Sequence, residues 1–235
     1  MSPFIGEFIG TMLLIIMGDG VVANVVLNKT KGNNGGWIVI AFGWAMAVFL
    51  GVYVSTSLGG SGHLNPAVTI AMTAFDNFDA TLLPTYILAQ FGGAITGAII
   101  VWLAYKQHFD NTDDKDGKLA VFCNAPAIRG YGYNLITEIV GTFVLVFGAL
   151  TMSKPATTLG TLDALPVGLL ILGIGLSLGG PTGYAINPAR DLGPRIAHFI
   201  LPIKNKRDSD WGYSWIPVVG PIIGALIAAY LFKLI

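Results

Sequence analysis

The sequence predicts an all-α membrane protein: six transmembrane helices and two re-entrant half-helices, arranged as an inverted repeat. Three observations predict this. Hydrophobic residues make up 54% of the 235 residues and charged ones only 11%, whereas an average soluble domain carries roughly 25% charged residues. Six apolar stretches approach the about 20 residues that a bilayer core of ~30 Å requires. Two shorter segments each open with Asn-Pro-Ala after a glycine-rich run. This composition excludes a disordered chain, a disulfide scaffold and a typical cytosolic enzyme.

The six stretches are Phe4–Leu27, Trp37–Val54, Leu82–Tyr105, Leu135–Met152, Leu165–Leu178 and Trp215–Leu231. The fifth is short and is expected to draw on its glycine-rich flank to complete the span. Glycine and proline lie inside these runs, as they do in membrane helices more than in soluble ones. The two short segments are Pro66–Phe75 and Pro188–Leu201. Ten helical residues rise about 15 Å, half the core. The longest polar segment, Lys106–Asn134, falls mid-chain and reads as a linker. Lys204–Asp210 forms a second charged loop.

The two halves repeat. Glu7-Phe8-Ile9-Gly10-Thr11 matches Glu138-Ile139-Val140-Gly141-Thr142, and Asn65-Pro66-Ala67 matches Asn187-Pro188-Ala189. Gly93 and Gly97 match Gly220 and Gly224, a spacing that lets helices approach closely. The organisation expected is one domain over 1–235, with a first repeat at 1–108, a polar connecting loop at 109–133 and a second repeat at 134–235. Three spans per repeat is an odd number, so the second repeat enters from the opposite face. The half-helices then dip in from opposite sides, and their N-termini meet near the midplane.

Asn is a good N-cap and Pro suits the first helical position. A lone Asn-Pro-Ala is therefore an ordinary helix start. Two copies at equivalent places in an inverted repeat imply more. Non-helical backbone at membrane depth is tolerated only inside protein or beside a water-filled cavity. Two positive helix ends at the centre repel cations. Asn65 and Asn187 can donate hydrogen bonds to a passing hydroxyl or water, which then donates outward in both directions. That orientation opposes proton hopping.

The segments Ser61–Thr69 and Gly183–Asp191 resemble the two signature segments of the aquaporin superfamily, the major intrinsic proteins. The resemblance covers essentially the whole chain. Asp191 after Asn-Pro-Ala-Arg is similar to the aquaglyceroporin, or glycerol uptake facilitator, branch. The resemblance implies an aquaporin-like bundle in the cell membrane, both termini cytoplasmic, assembled as a homotetramer in the lipid bilayer. It implies the proton and cation exclusion of aquaporin-type pores. It maps the pore motifs onto Asn65, Pro66, Ala67, Asn187, Pro188 and Ala189. It maps the selectivity filter onto Trp44, Gly175, Tyr184 and Arg190: an apolar wall from Trp44 and Tyr184, a donor wall from Arg190, and room left by Gly175. Solute acceptors are expected from the carbonyls of Gly62, His63 and Leu64 and, as their counterparts, Gly183, Tyr184 and Ala185. Glu7 and Glu138 are expected to accept bonds from the re-entrant backbone, with Asp191 in a supporting role.

Two departures stand out. The branch commonly has Phe where Tyr184 sits, and the stretch before Asn65 is one residue longer than the family pattern. The Trp44 assignment requires that extra residue to lie in the Ser55–Gly62 loop. Orientation draws opposing signals. With both termini inside, only Lys154 and Lys233 remain among the inner cations, and the positive-inside rule favours the reverse.

The leading function is a passive channel for glycerol and other small uncharged solutes, water and dihydroxyacetone among them. Protonated lactic acid, urea and hydrogen peroxide extend the solute list by resemblance. A water-selective channel is the alternative within the class; Trp44 with Gly175 argues against it. An ion-coupled secondary transporter is the alternative from another class. It needs a titratable site at the midplane, where this sequence puts Asn, Pro and Ala. No enzyme signature, cofactor or nucleic-acid partner is expected: 13 basic and 13 acidic residues cancel, and one cysteine and three histidines show no metal-ligand spacing. The N-terminus Met-Ser-Pro-Phe lacks the basic residues of a cleaved signal peptide. Asp19, inside the first span, receives no role.

Overall fold

The computed structural model describes residues 2–75, 78–152 and 160–235. Lys154, counted above for orientation, lies outside them. Among the described residues the chain forms ten α-helices and no strand. They are α1 (Pro3–Val26), α2 (Trp37–Ser57), α3 (Pro66–Phe75), α4 (Leu83–Ala104), α5 (Lys106–Asp110), α6 (Lys115–Phe122), α7 (Tyr131–Met152), α8 (Leu165–Leu178), α9 (Pro188–Ile200) and α10 (Ile216–Leu234). Five of the helical segments are long and apolar enough to cross a membrane.

The fifth expected span, α8, is 14 residues long. Its extension comes from its N-terminal side. A 3₁₀ segment, Gly160–Ala164, leads directly into it. At about 1.5 Å per α residue and 2.0 Å per 3₁₀ residue, the two reach roughly 31 Å. The glycine-rich flank at Gly179–Gly183, expected to complete the span, instead turns the chain into the second re-entrant loop. Gly183 has φ +80°, a left-handed conformation that favours glycine.

α1 packs on α2 and α4, and α7 packs on α8 and α10. The half-helices cross between halves: α3 packs mainly on α10, and α9 mainly on α4. α2 also meets α8. Each half-helix is therefore clamped by the last span of the other half.

The crossings depend on glycine, in a register that differs from the sequence match. A Cβ on Gly93 would lie 2.3 Å from the Phe8 carbonyl oxygen and 3.0 Å from the Met12 nitrogen. A Cβ on Gly224 would lie 2.3 Å from the Ile139 oxygen and 3.0 Å from the Phe143 nitrogen. Phe8 and Ile139 each follow the repeat's glutamate, so Gly93 corresponds to Gly224, not to Gly220. A small residue every four positions matches itself when slid by one helical turn. The contact with the partner helix, not the sequence motif, fixes the register.

The connecting loop is more ordered than its polarity suggested. It holds α5 and α6 and buries Phe109, Leu119 and Phe122. Asp114 caps α6 by accepting from the Asp116 and Gly117 amides. Lys118 is itself buried and donates to the Lys204 carbonyl.

Gly93→Ile and Gly224→Ile are expected to destabilise the bundle by about 1–3 kcal/mol each, the usual cost of forcing extra methylenes into packed helices. Gly173→Ala, with nothing within 4 Å of its added carbon, is the matched control. Thermal unfolding of the detergent-purified protein should show both Ile variants melting well below the control.

Candidate functional site

The site forms where the two re-entrant loops meet. The loops are held first by two buried carboxylates. The Glu7 carboxylate accepts from the His63 amide at 3.0 Å and the Leu64 amide at 2.8 Å. It also accepts from Ser55 Oγ at 2.9 Å and Gln90 Nε2 at 2.8 Å. Glu138 accepts from the Ala185 amide at 3.0 Å, the Ile186 amide at 2.8 Å and Thr182 Oγ1 at 2.6 Å. Both glutamates are buried. Glu7 and Glu138 are thus acceptors for backbone that has no helix to satisfy it.

The backbone explains how two successive amides reach one carboxylate. Gly62 and Leu64 have φ +70° and +52°; Tyr184 and Ile186 have φ +43° and +44°. These are the third and first residues before each Asn. Alternation of this kind folds successive N–H groups into an anion-binding nest. A trans peptide points its C=O opposite its N–H. The carbonyls of Gly62 and His63, and of Tyr184 and Ala185, therefore face away from the carboxylates.

This geometry corrects one expectation. The second acceptor run was placed at Gly183, Tyr184 and Ala185. By φ sign and carboxylate contact, the counterparts of Gly62, His63 and Leu64 are Tyr184, Ala185 and Ile186. The run begins one residue later, and Gly183 belongs to the preceding turn.

The two loops are stitched to each other by the asparagines. Asn65 Nδ2 donates to the Ile186 carbonyl at 2.8 Å, and Asn187 Nδ2 donates to the Leu64 carbonyl at 2.8 Å. Each Oδ1 caps its own half-helix: Asn65 accepts from Ala67, and Asn187 from Ala189 and Arg190. An amide nitrogen carries two hydrogens. One is spent across the junction and one remains for the cavity that both side chains line. Leu64 and Ile186 are thereby partly used as acceptors, which leaves Gly62, His63, Tyr184 and Ala185 with their carbonyls unshared by this stitch. Pro66 and Pro188 start α3 and α9, and Ala67 and Ala189 are fully buried beneath them.

The cavity measures about 310 Å³. Apolar side chains such as Leu14, Val52, Val68, Leu145, Val167 and Ile171 make most of its wall. Polar groups come from Ser61, the loop backbone, the two asparagines and Arg190.

Of the four expected filter residues, Trp44, Tyr184 and Arg190 line the cavity and Gly175 does not. Gly175 stands behind Tyr184. A Cβ there would fall 2.8 Å from Tyr184 Cζ and 2.9 Å from its hydroxyl oxygen. The room that Gly175 leaves is taken by the phenol. Trp37 completes this backing: its Nε1 donates to the Gly175 carbonyl at 2.9 Å, and its ring meets Tyr184 edge-on. Trp37 was missed from the sequence, where an aromatic at a span start signals only the membrane interface.

Trp44 lines the cavity, and the chain between it and Asn65 leaves α2 through a helix stop. Gly59 has φ +91°. The Gly60 amide donates to the Ser55 carbonyl and the Gly59 amide to Thr56, the two bonds of a Schellman motif. Trp44 presses against α1 at Gly18, where an added Cβ would lie 2.2 Å from its ring.

The Arg190 guanidinium lies over the Trp44 ring, 4.0 Å from its centroid, a cation–π contact. The donor wall and the aromatic wall therefore adjoin. Asp191 does not pair with Arg190. It binds Arg195 at 2.8 Å and accepts from the Asn124 amide at 2.7 Å. Arg195 also donates to the carbonyls of Ser209, Asp210 and Asn124. Asp191 thus ties α9 to both flanking loops. His63 bonds Thr69 through Nδ1 and packs beside Phe78 and Tyr86. The described residues hold no cluster of three or more His, Cys, Asp or Glu that could take a metal.

The family model described as Major intrinsic protein matches residues 1–232. A Thermotoga maritima protein named "Probable glycerol uptake facilitator protein" is 58% identical over 233 residues, covering 99% of each chain. The glycerol uptake facilitator protein of Streptococcus pneumoniae is 54% identical over 235 residues, covering 100% of this chain and 99% of that one. The X-ray structure of the aquaglyceroporin from Plasmodium falciparum superposes with a TM-score of 0.87 at 32% identity, over 98% of this chain and 94% of that one.

Replacing Glu138 by Leu removes three acceptor bonds and strands two buried amides, each costing about 1–3 kcal/mol. Glu138→Leu is expected to lose folded, monodisperse protein in size-exclusion chromatography. A Glu138→Leu protein as stable as wild type would show that the loops do not depend on the carboxylate.

Proposed function

We infer that this chain, which belongs to the major intrinsic protein family, is a passive membrane channel for glycerol and other small uncharged solutes, and not an enzyme. The observation that carries the reading is the cavity's two-faced wall: aromatic and aliphatic carbon beside Arg190, the asparagine amides and a run of backbone carbonyls. A polyol has carbon on one edge and hydroxyls on the other, and such a slot matches it. The facilitator names of relatives at more than half identity support the same solute.

The proposed path works by substitution of hydrogen bonds. A solute hydroxyl entering the slot accepts from Arg190 and donates to the Tyr184 or Ala185 carbonyl. Its carbon edge slides on Trp44 and Tyr184. At the junction it accepts from the second amide hydrogen of Asn65 and Asn187, then passes to the carbonyls of Gly62 and His63. Each hydrogen bond lost is replaced by another, so dehydration is offset along the way. Ions find no such replacement. Cations meet two positive helix ends, and water held as a double acceptor at the asparagines cannot relay a proton. Water and dihydroxyacetone fit the same donors and acceptors; protonated lactic acid, urea and hydrogen peroxide belong to the same proposed range.

The reading places the protein in the cell membrane with both termini cytoplasmic. The loop cations that oppose this orientation are engaged structurally. Arg129 pairs with Asp210, Arg207 with Asp116, and Lys106 with Asp110. Lys206 donates to the Phe199 and Leu201 carbonyls at the end of α9. Outward-facing Ile38, Phe42 and Leu169 suit lipid or the neighbouring subunits of the proposed homotetramer.

Stopped-flow light scattering on proteoliposomes tests the channel. Wild type should re-swell rapidly in glycerol after osmotic shrinkage, at a rate indifferent to a pH or sodium gradient. A gradient-dependent rate would defeat the passive reading. Gly175→Ala should push the phenol into the slot and slow glycerol about tenfold while slowing water less, since a new methyl must displace Tyr184. Adding Tyr184→Phe, which frees the space of the hydroxyl, should recover most of the glycerol rate. Equal losses of water and glycerol in Gly175→Ala would remove Tyr184 from the size filter.

A further inference from the structure

No polar contact among the described residues pins the phenol of Tyr184. The residue is buried, and its hydroxyl has no hydrogen-bond partner among them. Its backbone is fixed by the loop, since the next amide, that of Ala185, is held by Glu138. The place of the ring therefore comes from what packs against it. Two surfaces meet it. One is the end of α8, where Gly175 and Gly179 stand one helical turn apart. An added Cβ would lie 2.8 Å from Tyr184 Cζ at Gly175 and 2.5 Å from Tyr184 Cδ1 at Gly179. The other is the Trp37 ring, set edge-on with its centroid 5.8 Å away.

Trp37 is in turn held by the helix end. Gly175 lies in the last turn of α8, where carbonyls lack partners inside a helix. Trp37 Nε1 supplies one, donating to the Gly175 carbonyl at 2.9 Å. The same ring lies against Gly179, where an added Cβ would fall 2.6 Å from Trp37 Cζ2 and 2.5 Å from that carbonyl oxygen. The Gly179 carbonyl accepts from the Gly183 amide at 2.8 Å, and this turn brings Tyr184 back over the helix end. Trp37, Tyr184 and the end of α8 thus interlock at two glycines. Trp37 opens α2, does not line the cavity and is 41% exposed. The room that it fills lies outside the slot.

We propose that Trp37 is a positioning residue that sets the width of the slot, and through it the bulk of the polyol that passes. This rests on the channel reading above. The Trp37 N–H locks its indole onto the Gly175 carbonyl, and the indole edge then stops the phenol from receding along α8. A ring seated against another ring's edge gains from that contact beyond its buried area. The phenol thus keeps one place although its hydroxyl has no partner of its own. The gap between it and the Trp44–Arg190 pair then has a fixed width, and solutes are sorted by their cross-section. Deleting the indole would open room away from the slot, since the surroundings of a deleted side chain relax only partly. The phenol could then withdraw into that room.

The test measures size discrimination in proteoliposomes. Wild type, Trp37→Ala, Trp37→Phe, Tyr184→Ala and the double variant Trp37→Ala/Tyr184→Ala are assayed for water, glycerol and erythritol by stopped-flow light scattering. Trp37→Ala should raise the ratio of erythritol to glycerol entry about three- to tenfold, the scale of one aromatic pair. Trp37→Phe keeps a ring edge against Tyr184 but cannot donate to the Gly175 carbonyl, and should raise the ratio by less. Once Tyr184 is alanine, removing Trp37 should leave the ratio where Tyr184→Ala alone puts it, the non-additivity of two residues acting through one contact. An unchanged ratio in Trp37→Ala would overturn the proposal. So would an equal rise with and without Tyr184, or water, glycerol and erythritol rates that all move together, the mark of a loosened bundle. Loss of folded protein in both Trp37 single variants would make the indole structural and also overturn it. A wild type closed to glycerol that opens to it in Trp37→Ala would defeat the glycerol reading and leave the width role of Trp37 standing.

Discussion

Two carboxylates that accept backbone amides in the middle of a membrane hold the rest of this structure in place. A path through the bilayer needs polar backbone at its centre, and polar backbone there needs partners. Glu7 and Glu138 meet that need from one side of each loop. Because a peptide unit is rigid and trans, tying its N–H to the carboxylate aims its C=O the other way. The acceptors that face the slot are thus set by groups the solute never meets. The strain of positive φ at Leu64, Tyr184 and Ile186, of order 1–2 kcal/mol per residue, is balanced by strong charge-assisted bonds.

From that anchor the geometry propagates inward and outward. Inward, the loops are close enough for each asparagine to bond the other loop's carbonyl. One amide thereby caps a helix, staples the junction and still has a hydrogen to offer. Outward, each half-helix packs on the last span of the other half. Glycines 93 and 224 allow those last spans to close on the glutamate-bearing helices. Glutamates, half-helices and glycine crossings form one mechanical unit across the pseudo-symmetric halves.

Much of this was legible from residue types whose physical demand is narrow. Asn before Pro at two equivalent places, and an acid inside each repeat's first span, leave few alternatives in a bilayer. The parts that were misplaced have a common cause: a residue type was matched where a contact decides. Glycine was aligned with glycine, so Gly62 was paired with Gly183, although the positive φ at that place is held by Tyr184. Gly93 was paired with Gly220 because a four-residue spacing matches itself one turn away. The span of α8 was extended toward glycines that in fact turn the chain. Trp37 escaped notice because its role is a hydrogen bond to a carbonyl 138 residues away, which no local pattern announces.

The same logic of large against small shapes the slot. Trp44 can lie where it does because α1 has glycine at Gly18, and Tyr184 because α8 has glycine at Gly175. Each aromatic is backed by the absence of a side chain. The width of the slot is therefore set from behind, by helix backbone, rather than by the lining residues alone. Rigid backing also fixes polarity. With its ring seated on α1, Trp44 offers a firm face to the Arg190 guanidinium, and the arginine gains a place without an ion pair that would withdraw its donors. Asp191, the acid nearest in sequence, is occupied by Arg195. An arginine bonded tightly to a carboxylate would have few N–H groups left for a hydroxyl. One held by a ring face keeps them, and a channel for neutral polyols needs those donors free.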